Sequence, residues 1–310
     1  MAPRRAHPAR TANPPKTPRN KARKRKSLTR SIPLDSFLVN FSVLPPRVSS
    51  TARPGKNKRN KRECSYHDIL HPVATWTEFS LASCITKFGA ALEDTQVHES
   101  PVEITPQKDD DEKAVSSELG VAEFTVRALT AHLNRGLRAC RYRLLDRPGH
   151  EVAGIKADRI GLKFPAREIR VVGDTKVSWK WRSEWRHAPL DSHHDLEYRQ
   201  VLSQVHSYMN ANGCEWGYVL TDREFVAVER GDVSGDIRVG EAVAWEASGS
   251  WNVAFATSFL HALAAGDEWH QPQAARSRSA AVAQAKRRVG ATGTGPRRSV
   301  RVAERAKRVM

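Results

Sequence analysis

From residue 115 onward the apolar positions of this chain fall into periodic runs whose period changes from stretch to stretch. Val115, Leu119, Ala122, Val126, Leu129 and Leu133 recur at helical spacing, with Gly136 behind them as a stop, which predicts a helix. Residues 141–145 and 152–160 read as strands, and after a turn at Phe164-Pro165 residues 168–177 read as a third. A Trp-rich polar stretch, 178–194, leads into a helix over 195–209, where Tyr198, Val201, Leu202, Val205 and Met209 form one stripe. Residues 216–221 and 224–229 read as the arms of a hairpin about Asp222-Arg223, 236–245 as a further strand, and 251–265 as a last helix. This order predicts an α/β domain over 115–270, with a mixed central sheet flanked by helices.

Upstream the pattern loosens. Residues 32–44 hold a short apolar patch ending in Pro45-Pro46, 76–92 are moderately apolar, and 99–112 turn polar and acidic. Residues 63–114 therefore read as a partly ordered arm followed by a linker. Charge sharpens the boundaries. Residues 1–62 contain 18 Lys or Arg against one acid, Asp35, and residues 271–310 contain 11 against one, Glu304. The chain as a whole is +17, which leaves −10 for residues 63–270. The flanking segments read as disordered basic tails, too polar to offset their chain entropy by burial. Their Lys/Arg blocks at 21–26 and 56–62 suit nuclear import or sequence-independent phosphate contacts. The expected location is therefore the nucleus, with the cytoplasm as alternative. No apolar run is long enough for a membrane span, and five prolines within the first 18 residues break the amphipathic helix of a mitochondrial presequence. Cys64, Cys84, Cys140 and Cys214 stand far apart with no CxxC pair, which suggests neither a disulfide framework nor a zinc knuckle.

One stretch of the predicted sheet gathers residue types suited to chemistry. Asp174 and Lys176 stand two apart on a strand, so they project from the same face. If 152–160 and 168–177 pair as a hairpin, Asp158 approaches Asp174. Two carboxylates and an ammonium then converge. Paired carboxylates hold a hard cation, Mg²⁺ or Mn²⁺, and leave positions for water and a phosphate oxygen. A nearby ammonium positions the water or offsets growing negative charge. Gln204 and Tyr208, four apart on the next helix, share a face that can point toward this site. The rival reading is a surface ion pair beside ordinary boundary residues. His187, His193, His194 and His206, with Cys214 nearby, match no four-ligand zinc spacing. Trp179, Trp181 and Trp185 lie among cations and can either stack on unpaired bases or bury against the sheet.

Asp158, then Gly173-Asp174-Thr175-Lys176, then Gln204 through Tyr208 resembles the PD-(D/E)xK nuclease superfamily in its RecB-like variant with a Gln-x3-Tyr element. The stretches 173–181 and 218–224 are similar to a fungal subgroup of it. The resemblance covers about 115–265 and implies a restriction-endonuclease-like fold and Mg²⁺-dependent hydrolysis of nucleic acid, DNA before RNA. It assigns Asp158 and Asp174 to the metal, Lys176 to the attacking water, and Gln204 and Tyr208 to support. In many members the first helix adds an acid; Glu118 and Glu123 both border the stripe here, and Glu123 is the expected ligand. The sequence departs from the pattern at Ala157, where the family has Pro. The alternative is a catalytically silent protein of the same fold that binds nucleic acid, or acts as a scaffold, through its basic tails.

Overall fold

A computed structural model of the chain describes residues 30–43, 45–46, 48, 64–99, 115–149, 151–152 and 155–266. The basic blocks at 21–26 and 56–62 and the segment from 271 onward lie outside the described residues. In chain order the elements are β1 (Arg30–Pro33), α1 (Leu34–Val39), a 3-10 turn (Tyr66–Asp68), β2 (Ala74–Thr75), α2 (Leu81–Asp94) and β3 (Gln96–Glu99). Next come α3 (Glu118–Thr125), a π turn (Val126–Thr130), α4 (Ala131–Ala139), β4 (Leu144–Pro148), β5 (Glu151–Val152), β6 (Ile155–Lys156), β7 (Arg159–Lys163) and β8 (Glu168–Thr175). A second 3-10 turn (Ser183–His187) precedes α5 (His193–Asn212), β9 (Trp216–Leu220), β10 (Glu224–Arg230), β11 (Ile237–Val239), β12 (Val243–Ala244) and α6 (Val253–Ala265).

The expected mixed sheet flanked by helices is present. Its eight strands run β2-β11-β10-β9-β8-β7-β4, with β12 also on β10. The pairs β8–β9 and β2–β11 are parallel and the others antiparallel. The parallel pair β8–β9 needs a crossover, which α5 supplies. Side-chain alternation divides the core. Val172, Val219, Val226 and Val228 face α5, whose stripe Tyr198, Val201, Leu202, Val205 and Met209 is buried as the spacing predicts. Val171, Tyr218, Leu220 and Phe225 face the other layer, made of α1, α2, α4 and α6.

Four sequence expectations change. Residues 30–43, placed in the basic tail, instead form β1 and α1, and Leu34, Phe37 and Leu38 are buried in the second core layer. The first helix buries only part of its predicted stripe: Val115, Leu129 and Leu133 are buried, but Leu119 is 68% and Val126 41% exposed, and Val121, Thr125 and Leu137 are buried instead. The π turn explains this, because its wider turn carries an every-fourth-residue row along one face. Gly136 is not a stop but lies inside α4, where an added Cβ would meet Leu34 Cδ1 at 3.1 Å; it lets α1 pack close. Finally, 152–160 is not one strand. It divides into the β5–β6 hairpin and the start of β7.

Candidate functional site

The β7–β8 hairpin is antiparallel, with Arg159 opposite Gly173. Continuing that register by one residue sets Asp158 against Asp174, and directly opposed residues share a face. That face belongs to α5. Asp158 is held firmly: its Oδ2 accepts from the Thr175 amide at 2.9 Å and from the Thr175 hydroxyl at 2.6 Å. Its backbone carbonyl accepts from the Gly149 amide at 2.8 Å. A Cβ at position 149 would stand 1.8 Å from the Ala157 carbonyl oxygen, so any larger residue displaces the Asp158 segment. Gly173 has a comparable reason. The Tyr218 ring lies across it on the opposite face, where a Cβ would come within 2.3 Å.

Asp174 and Lys176 are both buried, and Lys176 Nζ stands 2.6 Å from Asp174 Oδ2. Apart from this ion pair, no hydrogen-bond donor reaches that oxygen among the described residues, and Nζ also donates to the Thr175 carbonyl at 3.4 Å. Burial pushes the Asp174 carboxyl up to about 7; Lys176 pulls against it, while Asp158 and Glu118 add to it. Burial pulls Lys176 down, but Asp174, Glu118 and Asp158 together outweigh it and hold the ammonium above its ordinary range. A buried carboxylate balanced this way is unusual outside functional sites.

From α5, Gln204 and Tyr208 are both buried, and Gln204 Oε1 has no hydrogen-bond partner among the described residues. Burial raises the Tyr208 hydroxyl, followed by the charges of Asp174 and Asp158 and smaller contributions from Cys64 and Glu118. The helix is long and well bounded, capped by the Ser192 hydroxyl at one end and by Gly213 at φ 66° at the other. Its polar residues are buried because the segment 64–70 covers the side away from the sheet. Gln200 Nε2 donates to Cys64 Sγ at 3.7 Å, and the Ser203 hydroxyl to Asp68 at 3.3 Å.

The structure thus gathers Asp158, Asp174, Lys176 and Tyr208, with Gln204 one turn away. Glu123 does not join them; it is exposed. Glu118 takes that place, felt by Asp174, Lys176 and Tyr208 and paired with Lys180 Nζ at 3.1 Å. Two further acids escape sequence reading. Asp222, in the β9–β10 turn, accepts from the Ser178 amide at 2.6 Å and its hydroxyl at 2.7 Å. Glu224 grips Ser183 in the same manner at 2.7 and 2.8 Å. Together they fix the chain that leaves Lys176. The one signal for them was two acids in a short turn between apolar strands.

The remaining candidates have structural partners. Trp181 is fully buried and stacks on Tyr198, Trp185 stacks on His194, and Trp179 packs beside Val115, Val121 and Val177. His206 accepts from the Gly235 amide at 3.2 Å, and burial pushes it down to about 4, so it is neutral. Cys214 donates to the Ile169 carbonyl at 3.1 Å. His187 and His193 are exposed. Among the described residues, no group of three or more His, Cys, Asp or Glu stands close enough to hold a metal ion, and no described helix is long and apolar enough to cross a membrane.

No family model, curated protein or solved structure matches the chain. Its function must be argued from these residues and their geometry.

Proposed function

We propose that the chain is a metal-dependent nuclease with a restriction-endonuclease-like core, hydrolysing phosphodiester bonds of nucleic acid, DNA in the first instance, by direct attack of water. The observation that carries this is Asp158 set against Asp174 on one hairpin. Beside them stands Lys176, whose ammonium at 2.6 Å is the one polar contact, among the described residues, of a buried Asp174 oxygen.

Asp158 and Asp174 would hold Mg²⁺ or Mn²⁺. The donor set fits, because a small hard cation takes one or two protein carboxylates and keeps several waters, so a third protein ligand is not required. When bound, such a cation polarises the phosphoryl group and lowers the pKa of its water. The residues do the rest. Thr175 fixes the Asp158 carboxylate through two hydrogen bonds. Lys176, kept charged by the surrounding acids, holds the attacking water or offsets charge on the phosphate oxygens. Gln204 and Tyr208 offer neutral hydrogen-bonding groups from above, suited to a phosphate oxygen or to steadying Lys176. Asp222 and Glu224 keep the segment after Lys176 in place.

One contact favours a second reading, a silent binding protein. Lys176 Nζ already occupies the Asp174 oxygen that a cation would need, at 2.6 Å. The full chain separates the two, since α1 packs in the core and a fragment starting at 110 would lack it. With Mn²⁺ it should nick plasmid DNA and stop in EDTA, and Asp174→Asn should lower the rate by at least about 100-fold without loss of the folded state by circular dichroism. Pure protein that binds no Mn²⁺ and cleaves neither DNA nor RNA establishes the silent reading instead.

A further inference from the structure

The predicted domain, 115–270, is nearly neutral, with 19 Lys or Arg against 21 acids, yet one edge of the sheet is strongly basic. β4 is the last strand on its side of the sheet. Arg138 from the last turn of α4, Arg141 and Arg143 from the loop before β4, Arg147 from β4 itself and Arg167 from the β7–β8 turn are all exposed. Among the described residues, no acidic side chain pairs with any of the five. The one acid of α4 and β4 is Asp146, and it is buried against Arg159 inside the fold. Four non-glycine residues of the described chain hold a positive φ, and three of them are these arginines: Arg141 at 57°, Arg143 at 53° and Arg167 at 58°. L-residues other than Asn and Asp rarely adopt that conformation, and where they do it often marks a functional surface.

The patch also leads somewhere. Arg147 and Arg167 line a hollow together with Pro148, Ile160 and Leu162. Ile160 and Leu162 project from the α5 face of β7, the face that carries Asp158 two residues before Ile160. Arg147 lies opposite Ile160 in the β4–β7 register, and so shares that face. At ~3.3 Å per residue along a strand, Arg147 lies within about two nucleotide repeats of the carboxylates.

We infer that the β4 edge, with Arg147 and Arg167 at its centre, is the surface on which the sugar–phosphate backbone of a nucleic acid lies as it runs toward Asp158 and Asp174. The inference rests on the phosphodiester chemistry proposed above for its substrate class, but its binding test needs no turnover. Guanidinium groups suit phosphate because they are always charged and donate in a bidentate fork. Cations on an edge strand also guard against strand-to-strand association. That role alone does not account for arginines that continue onto the β7–β8 turn and line a hollow against the strand that follows Asp158.

The test uses the full chain in EDTA, with short fluorescent DNA, single-stranded and duplex, titrated with salt and followed by anisotropy. R147A/R167N removes both cations, and Asn at 167 tolerates the left-handed backbone. Affinity should fall at least about tenfold at low salt, and the salt slope by about 2. R147K/R167K should keep the slope. The control K87A/R223A, which removes two exposed cations elsewhere, should lower the slope less. An unchanged slope in R147A/R167N, with or without new aggregation, overturns the inference. So does competition by polyglutamate as strong as that by DNA at equal charge. If R147A/R167N loses binding while the wild type cleaves nothing in any metal, the surface stands and the nuclease reading falls. If the wild type cleaves and R147A/R167N keeps its affinity and KM, the reverse holds.

Discussion

Residues 158 and 159 are neighbours where β7 begins, yet they serve two buried charged centres on opposite faces of the sheet. Arg159 turns toward α4 and meets Asp146; Asp158 turns toward α5 and meets Asp174 and Lys176. The first centre is complete at its carboxylate, although Arg159 Nε has no hydrogen-bond partner among the described residues. Asp146 Oδ2 takes Arg159 Nη2 and the Thr130 hydroxyl, the latter at 2.9 Å, and its Oδ1 takes the Tyr218 hydroxyl at 3.4 Å. Asn134 closes both backbone groups of Asp146, at 2.8 and 2.9 Å. The second centre is not complete. Asp174 is as buried as Asp146 but, apart from the Lys176 ion pair, no donor reaches its Oδ2 among the described residues, and its carboxyl is pushed to about 7. A satisfied buried network rigidifies a fold, whereas a half-satisfied one is costly and calls for another explanation. The contrast assigns stability to the first centre and chemistry to the second.

The largest expected effect tests that division. Arg159→Met leaves the Asp146 carboxylate buried without its counter-ion, which should lower unfolding free energy by about 3–5 kcal/mol in denaturant titration. Lys176→Met should cost less, roughly 1–2 kcal/mol, because Asp174 sits near neutrality and can take up a proton in place of its partner. Equal losses at the two positions would show that both pairs are structural.

Replacing each pair outright sharpens the point. Asp174→Leu with Lys176→Met removes two buried charges and strands no hydrogen-bonding partner except the Thr175 carbonyl, itself a weak acceptor of Lys176 at 3.4 Å. Stability should be unchanged or rise by about 1–3 kcal/mol while cleavage disappears. Asp146→Leu with Arg159→Met instead deprives the Thr130 and Tyr218 hydroxyls of their acceptor, at about 1–3 kcal/mol for each group left unsatisfied. That variant should remain destabilised. A gain of stability in the second pair, or a loss in the first, would reverse the roles assigned here.

How far all this could be read in the sequence depends on the period. The β7–β8 hairpin and the α5 stripe were legible in outline from their period-two and period-3.6 patterns, although the strand expected at 152–160 is divided and a bulge shifts the β7–β8 register at Gly161/Leu162; they carry Asp158, Asp174, Lys176, Gln204 and Tyr208. The first helix misled for one local reason. Phased on Leu119 and Val126, its stripe brings Glu123 to the border. Phased on Val121 and Thr125, as found, it brings Glu118 there instead. The π turn that shifts the phase leaves no mark in hydrophobicity. It also carries Thr130, whose hydroxyl completes the Asp146 centre. The clamps of Asp222 and Glu224 on Ser178 and Ser183 were illegible for another reason: they join residues 44 and 41 apart, and turn acids look alike until the partner is known. α1 was hidden by its basic neighbours, since composition averaged over 1–62 concealed the six residues Leu34–Val39.

The smallest expected effect at neutral pH comes from replacing a buried histidine, and it shows itself in the pH dependence. His261 is buried in the Asp146–Arg159 layer, His132 is partly buried there and His206 is buried on α5; burial, aided by nearby arginines, pushes each down to about 4. Each is therefore neutral when folded and binds a proton more readily when unfolded. Their contribution to stability is complete above the unfolded value of 6.5 and is lost as pH falls through that value toward about 4. Each should contribute a slope of about 1.4 kcal/mol per pH unit inside the window. His261 is the cleanest to remove, since among the described residues its Nε2 has no partner and its Nδ1 bonds to the Thr257 carbonyl at 2.8 Å. His261→Leu should leave stability near pH 7 within about 1–2 kcal/mol of wild type and flatten the acid limb by one proton. Denaturant titrations at a series of pH values would read both. An acid limb as steep as wild type would mean that His261 is already exposed to protons in the folded chain, and that the α4–α6 layer beside Arg159 is looser than its completed hydrogen bonds imply.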